Sequence, residues 1–226
     1  YVYQGEAERG LQIYTEMQRK GFRSNSRTFV MALEACCAIA EKEEKVGMEV
    51  QSFKTTSLEI GRALHMDARQ SKFCLDAFVV SALVSMYGKC GSIREAECVF
   101  VGLPEYNIVA CNAMISAYVD NNESNKALQF YSKMLEEDMN ANELTFVLLL
   151  QACIGIVEMA GDILVYSKEL LVELCHALDA IIIEKGFNTD VWVRSTLISA
   201  YGKCGVINKA KNMLDEMPMS NVVMLL

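Results

Sequence analysis

The stretch "AFVVSALVSMYGKCGSIREAECVFVGLPEYN" at residues 77–107 is matched by "VWVRSTLISAYGKCGVINKAKNMLDEMPMSN" at residues 191–221. Thirteen of the 31 aligned positions are identical without a gap, including the whole pentapeptide Tyr-Gly-Lys-Cys-Gly. The chain's two prolines, Pro104 and Pro218, fall at one equivalent position, and both copies end in asparagine. Self-similarity at this spacing marks a repeat architecture.

Each copy has the pattern of two helices. In the first, Val79, Leu83 and Tyr87 make one i, i+4 stripe and Ala82, Met86 and Cys90 the next. Gly91 stands where a left-handed residue ends a helix. "SIRE" at residues 92–95 has the form of a capping box, and Ile93, Ala96, Phe100 and Leu103 supply a second apolar face. The second copy repeats this with Leu197, Tyr201, Gly205, Ile207, Ala210, Leu214 and Met217, but Val206 replaces the serine.

The neighbouring segments keep a related rhythm. "NIVACNAMISAYVDNNESNKALQFYSKMLEEDMNAN" follows the first copy, and its "ALQFYSKM" compares with "GLQIYTEM" in residues 1–25. A third type opens with "TFVMALEAC" from Thr28 and "TFVLLLQAC" from Thr145, each preceding a 31-residue copy. Three unit types thus recur in fixed order. A single pair of helices cannot bury its apolar faces alone, so the units must stack on one another. The expected fold is all-α: a right-handed superhelical solenoid of stacked antiparallel helix-turn-helix repeats, one continuous array over residues 1–226.

Composition agrees. The 226 residues are 52% hydrophobic with only two prolines, which favours a folded, helical chain. The net charge of −8 weighs against a strongly basic nucleic-acid binder, though not against a local basic groove. Nine cysteines, an odd number, suggest free thiols in a reducing compartment. No apolar run approaches a membrane span. The chain starts at Tyr1 in mid-pattern and is expected to be part of a longer protein.

With these motifs the chain resembles the pentatricopeptide repeat family, in particular its plant-type subclass of alternating standard, long and short repeats. "SALVSMYGKCGSIREAECVF" is similar to the short repeat, "NAMISAY…KALQFYSKM" to the standard repeat, and "TFVMALEAC…GRALH" to the long one. The units are then 1–25 (rear of a standard repeat), 26–76 (long), 77–107 (short), 108–142 (standard), 143–190 (long), 191–221 (short) and 222–226, the start of another. Both long repeats exceed the family's usual length, by insertions near residues 41–59 and 156–173. A lengthened helix or a loop outside the groove is expected there, with a partner-docking surface as the alternative.

The resemblance implies sequence-specific binding of single-stranded RNA, one base per repeat. The fifth residue of the first helix and the last residue of the repeat would read the base edge, and the second residue would pack on its face. These are Ser81 and Asn107 with Phe78, Asn112 and Asn142 with Val109, and Ser195 and Asn221 with Trp192. The family's code implies adenine for serine with asparagine and a pyrimidine for asparagine with asparagine. The long repeats present Val30 with Asp76 and Val147 with Asp190, which fit no clear rule. The expected order, 5′ to 3′, is A, pyrimidine, unspecified, A. Serine and asparagine also cap helices and turns, and the two roles compete for these positions. Lys89 and Lys203 are candidate phosphate contacts or ordinary solvated lysines, and Asp120 holds the equivalent position in the standard repeat. Asn122 and Asp138 stand where the family prefers glycine.

No catalytic or metal site is expected. There is no C-x-x-C pair, and "GKCG" lacks phosphate-loop spacing. The deaminase signature of the family's editing members is missing from these residues. His65 and His176 are expected as core or surface filler, and the cysteines as small buried apolar residues. The resemblance implies no cofactor, no membrane and no DNA. It implies RNA and other RNA-processing proteins as partners, a mitochondrion or chloroplast as location, and transcript processing or C-to-U editing-site recognition as the task. A protein-binding scaffold, or a diverged array without RNA specificity, is the rival reading.

Overall fold

A computed structural model describes residues 7–45, 50–160 and 165–216. They form eleven α-helices and one 3-10 turn, Phe187–Thr189, with no strand among the described residues. The helices are α1 (Ala7–Arg19), α2 (Ser26–Lys45), α3 (Val50–Gln70), α4 (Ala77–Lys89), α5 (Ile93–Val101) and α6 (Ile108–Asp120). They continue with α7 (Ser124–Glu136), α8 (Glu143–Ala160), α9 (Val165–Glu184), α10 (Val191–Lys203) and α11 (Ile207–Asp215). The chain divides into two compact units, Tyr1–Asn121 and Asn122–Leu226. In the first, α4 packs between α2 and α6, while α3 and α5 fold back on α2 and α4. In the second, α8 packs on α10, α9 returns on α8, and α11 returns on α10.

The first helix of each short copy and the turn that ends it fold as expected. In α4, Val79, Leu83, Met86 and Tyr87 are buried, and Cys90 just beyond the helix with them; in α10, Val193, Leu197, Ala200 and Tyr201 are. The turn after each is a Schellman motif. Gly91 N–H donates to Gly88 O at 3.0 Å and Ser92 N–H to Tyr87 O at 2.8 Å; Gly205 and Val206 repeat this on Gly202 and Tyr201. The turn glycines have φ of 76° and 86°, a region that strains any side chain.

The capping box at Ser92 does not form. Ser92 makes no side-chain cap bond. Its N–H is already used by the preceding turn, and its hydroxyl donates instead to the Glu95 carboxylate. That carboxylate is gripped by Arg62 of α3, at 2.8 and 3.0 Å, and is held away from the Ser92 backbone. The apolar face of α11 also differs from expectation. Ala210 is buried, but Ile207 and Leu214 are exposed. Their counterparts Ile93 and Phe100 are covered because α6 follows α5 and Tyr106 stacks on Phe100 at 4.7 Å. No described helix follows α11. Met217 and Asn221 lie outside the described residues.

The insertions lengthen helices. α2, α3, α8 and α9 of the long repeats run 20, 21, 18 and 20 residues, against 13 in α4, α6, α7 and α10. Asn122 and Asp138 adopt the left-handed geometry expected where the family has glycine, with φ of 58° and 52°, and Lys72 does the same at 64°.

Gly88 faces α6 with no room for a side chain. A Cβ there would stand 2.6 Å from Ala117 Cβ and 3.0 Å from its Cα, whereas nothing lies within 4 Å of one on the equivalent Gly202. Gly88→Ala is therefore expected to destabilise the first unit by about 1–3 kcal/mol. Gly202→Ala should stabilise the second by about 0.5–1 kcal/mol through helix propensity alone. Urea denaturation of the two variants checks the opposite signs. Asp138→Gly removes a left-handed penalty of about 1 kcal/mol and should raise the midpoint of thermal unfolding by about 2–4 °C.

Candidate nucleic-acid interface

The first helices of each unit lie side by side, so residues at one helical position form a row. At the second position the row in the first unit is Arg27, Phe78 and Val109, and in the second unit Leu144 and Trp192. Phe78 is 70% exposed, Val109 53%, Leu144 52% and Trp192 69%. Large apolar side chains left in water at one repeated register are unlike the scattered exposure of a folded surface. Leu144 and Arg27 were not among the residues singled out in the sequence. The recurrence of the "TF" segment, one residue after each, is the signal that aligns them.

The fifth position is less accessible. Ser81 is buried and donates its hydroxyl to Ala77 O at 2.7 Å. Asn112 is buried, and Ser195 is half-buried with its hydroxyl on Trp192 O at 3.0 Å. Val30 and Val147 hold the same position in the long repeats and are half-buried.

The last residue of each described repeat caps the next helix. Asn107 Oδ1 accepts from Ala110 N–H at 2.9 Å, and Asn142 Oδ1 from Thr145 N–H at 3.1 Å. Asp76 accepts from Phe78 and Val79 N–H, and Asp190 from Val193 N–H at 2.9 Å. Asn25 does the same for Thr28. Capping and reading therefore do not exclude one another. An asparagine cap uses its oxygen on the backbone and keeps its amide hydrogens as donors. An aspartate cap keeps a second oxygen, an acceptor.

The lysines of the pentapeptides are ion-paired. Lys89 lies 3.2 Å from Glu41 and 3.0 Å from Asp120; Lys203 lies 2.8 Å from Glu158. Burial pulls the Lys89 ammonium down, but hydrogen bonds and charge from Asp120 and Glu41 outweigh it and its pKa stands above the usual lysine value. Glu41 and Glu158 lie at the starts of the two insertions.

Both histidines bond the pentapeptide tyrosines. The Tyr87 hydroxyl meets His65 Nδ1 at 2.9 Å and the Tyr201 hydroxyl meets His176 Nδ1 at 3.1 Å. Burial, then the charge of Arg69, holds His65 below the usual histidine range, and burial beside Glu95 raises Tyr87 to about 12. Among the described residues no three His, Cys, Asp or Glu side chains gather as metal ligands. Burial raises the Cys37 and Cys204 thiols to about 12, which suppresses the reactive thiolate.

Comparison with known proteins gives this arrangement a family. The PPR repeat family model matches residues 106–155, and the PPR repeat model matches residues 78–108 and 193–222. The chain belongs to the pentatricopeptide repeat family. The Arabidopsis thaliana pentatricopeptide repeat-containing protein At5g27110 is 29% identical over 96% of this chain and 27% of its own length. CRR2, chloroplastic, from the same plant is 27% identical over 97% of this chain and 30% of its own length. The chain thus spans less than a third of the length of these relatives. Among solved structures, PPR10 crystallised with an 18-nucleotide psaJ RNA element superposes with a TM-score of 0.55 at 18% identity, covering 96% of this chain and 33% of that one. That likeness gives the fold: stacked pentatricopeptide helix pairs.

The folded His65 stays neutral to lower pH than a free histidine. Its contribution to stability is present above about pH 6.5, the unfolded value, and is lost as pH falls through the folded one. Glu95, held below the usual carboxylate range by its Arg62 hydrogen bonds, acts in the same direction at lower pH. The first unit should lose stability between pH 7 and pH 5. His65→Gln, which can still meet the Tyr87 hydroxyl, should flatten that slope in thermal unfolding followed across pH.

Proposed function

We propose that this chain is a segment of a sequence-specific, single-stranded RNA-binding array. The subclass is that of alternating standard, long and short repeats, with organellar transcript processing or C-to-U editing-site recognition as its task. The observation that carries the reading is the register of exposed apolar side chains, Phe78 and Val109 in one unit and Leu144 and Trp192 in the other. Each is followed by a fifth-position residue and flanked by a polar residue that caps its helix. A base slotted between Phe78 and Val109 would have apolar contact on both faces. Its edge would face Ser81 and Asn107. Stacking on an aromatic side chain contributes about 1–3 kcal/mol per base and is indifferent to sequence; discrimination is left to the polar pair.

In this reading Ser81 with Asn107 selects adenine and Asn112 with Asn142 a pyrimidine. Ser195, with Asn221, selects adenine again. Asp76 and Asp190 carry acceptors where the asparagines carry donors, and the two long repeats also lack a polar fifth residue. They set spacing more than identity. The carboxylates around Lys89 and Lys203 compete with phosphate, so those lysines contribute little, and Arg27 is the exposed cation on the row. The same ion pairs, with the net charge of −8, favour the rival reading of a protein-binding scaffold.

Selection from a randomised RNA pool at several salt concentrations tests this. The expected enrichment is A, pyrimidine, any base, A. Ser81→Asn should move the first preference from adenine to pyrimidine. Asn107→Asp keeps an equally good cap, so it should leave thermal stability unchanged and alter selection at that single nucleotide. Absence of enrichment at low salt, or enrichment indifferent to these substitutions, overturns the reading in favour of the scaffold.

A further inference from the structure

The two long–short junctions can be compared residue by residue, because the chain aligns with itself at an offset of 114 from α3 through α5. The identical tyrosines Tyr87 and Tyr201 sit at the centre of each. Around them the residues differ in matched pairs.

At the first junction, α3 brings a cation and α5 an anion. Arg62 grips Glu95 through two hydrogen bonds of 2.8 and 3.0 Å, and His65 meets the Tyr87 hydroxyl. At the second, the signs are reversed. Asp179, aligned with His65, accepts from Tyr201 at 2.9 Å. It lies 2.7 Å from Lys209, which is aligned with Glu95. Lys209 Nζ also donates to the Tyr201 hydroxyl at 2.8 Å and to His176 Nδ1 at 3.1 Å, and stands over the tyrosine ring at 4.5 Å.

The apolar contact beneath is exchanged too. At the first junction the small residue is on α3 and the large one on α4. A Cβ on Gly61 would fall on the Met86 Sδ and within 2.6 Å of its Cε, and Met86 is fully buried. At the second, Cys175 takes the place of Gly61 and Ala200 that of Met86. The Cys175 thiol lies 3.9 Å from the Cys204 thiol, and the Met86 thioether lies 3.9 Å from the Cys90 thiol.

We infer that each short repeat is keyed to the long repeat that precedes it, by a charge pair and a volume pair that are inverted between the two junctions. The docking surface of each long repeat fits its own short repeat and rejects the other. The short repeat 191–221 behind α3 would place Lys209 against Arg62 and His65, and Ala200 over Gly61, leaving a hole. The short repeat 77–107 behind α9 would place Glu95 against Asp179 and drive Met86 into Cys175. Like charges beside a buried tyrosine, a cavity and an overpacked contact each destabilise. Ser81 and Ser195 are identical in type, so the keys distinguish the two repeats where their fifth-position residues do not. The inference is independent of whether RNA is bound.

Double-mutant cycles in the full chain test it. Glu95→Lys alone should lower the midpoint of thermal unfolding by about 2–4 °C. Arg62→Glu added to it should restore most of the loss, the pair then having the sign order of the second junction. The volume pair is read in a background that folds. Met86→Ala opens a cavity, and Gly61→Cys should raise the midpoint in that background while lowering it in the wild-type chain. The helix-propensity gain of replacing glycine is common to both and cancels. The inference is overturned if Arg62→Glu merely adds its own loss to that of Glu95→Lys, or if Gly61→Cys shifts the midpoint equally in both backgrounds.

Discussion

Each unit depends on first helices that must be buried on two sides. A helix of 13 residues with one apolar face would be satisfied by its own hairpin partner. In α4, eight of the 13 residues are buried, and they cover most of its circumference. Burial of that extent requires α2 on one side and α6 on the other, close enough that a Cβ on Gly88 would stand 3.0 Å from the Ala117 Cα. The second helices are different. α5 buries only Ile93, Ala96 and Phe100, and its remaining residues are half-buried or exposed. This difference fixes which helices line up and which lie on the outside. A single helix pair cannot bury a first helix of this kind by itself.

Lateral packing has a consequence for function. When first helices pack side by side with their N-termini in register, their N-terminal turns fall in a row, although α2 and α8 run longer than α4, α6 and α10. That is where Phe78, Val109, Leu144 and Trp192 stay exposed. It is also where the orphan N–H groups of each helix need acceptors. The caps at Asp76, Asn107, Asn142 and Asp190 meet that need with side-chain oxygens. The row of exposed apolar side chains beside capping residues is therefore a by-product of the two conditions that any stacked helix pair must satisfy.

What was legible in the sequence was local or repeated. Helix pairs, their Schellman turns and the left-handed Asn122 and Asp138 could be read because they depend on a few adjacent residues or recur at a fixed spacing. What was not legible depends on partners far along the chain. The histidines looked like filler, since the tyrosine each one meets is 22 or 25 residues away in another repeat type. Lys89 looked available for phosphate because Glu41 lies inside an insertion that breaks the alignment. The capping box failed for a related reason: Ser92 and Glu95 have the right spacing, but one backbone N–H belongs to the previous turn and the carboxylate belongs to Arg62.

The pattern of identity within the repeats follows from the same distinction. Tyr87–Gly91 and Tyr201–Gly205 are identical because the terminating turn is a requirement of one helix hairpin, and because both junctions keep a tyrosine at their centre. Between a long and a short repeat the requirement is different: the two sides must suit each other, and no particular side need be large or small, acidic or basic. Gly61 with Met86, and Cys175 with Ala200, satisfy it equally well. So do Arg62 with Glu95, and Asp179 with Lys209. Residues under a hairpin constraint repeat, and residues under a junction constraint change in pairs. Chemistry at a junction is thus invisible to a search for identical motifs, and becomes visible when aligned positions are compared together with what they touch.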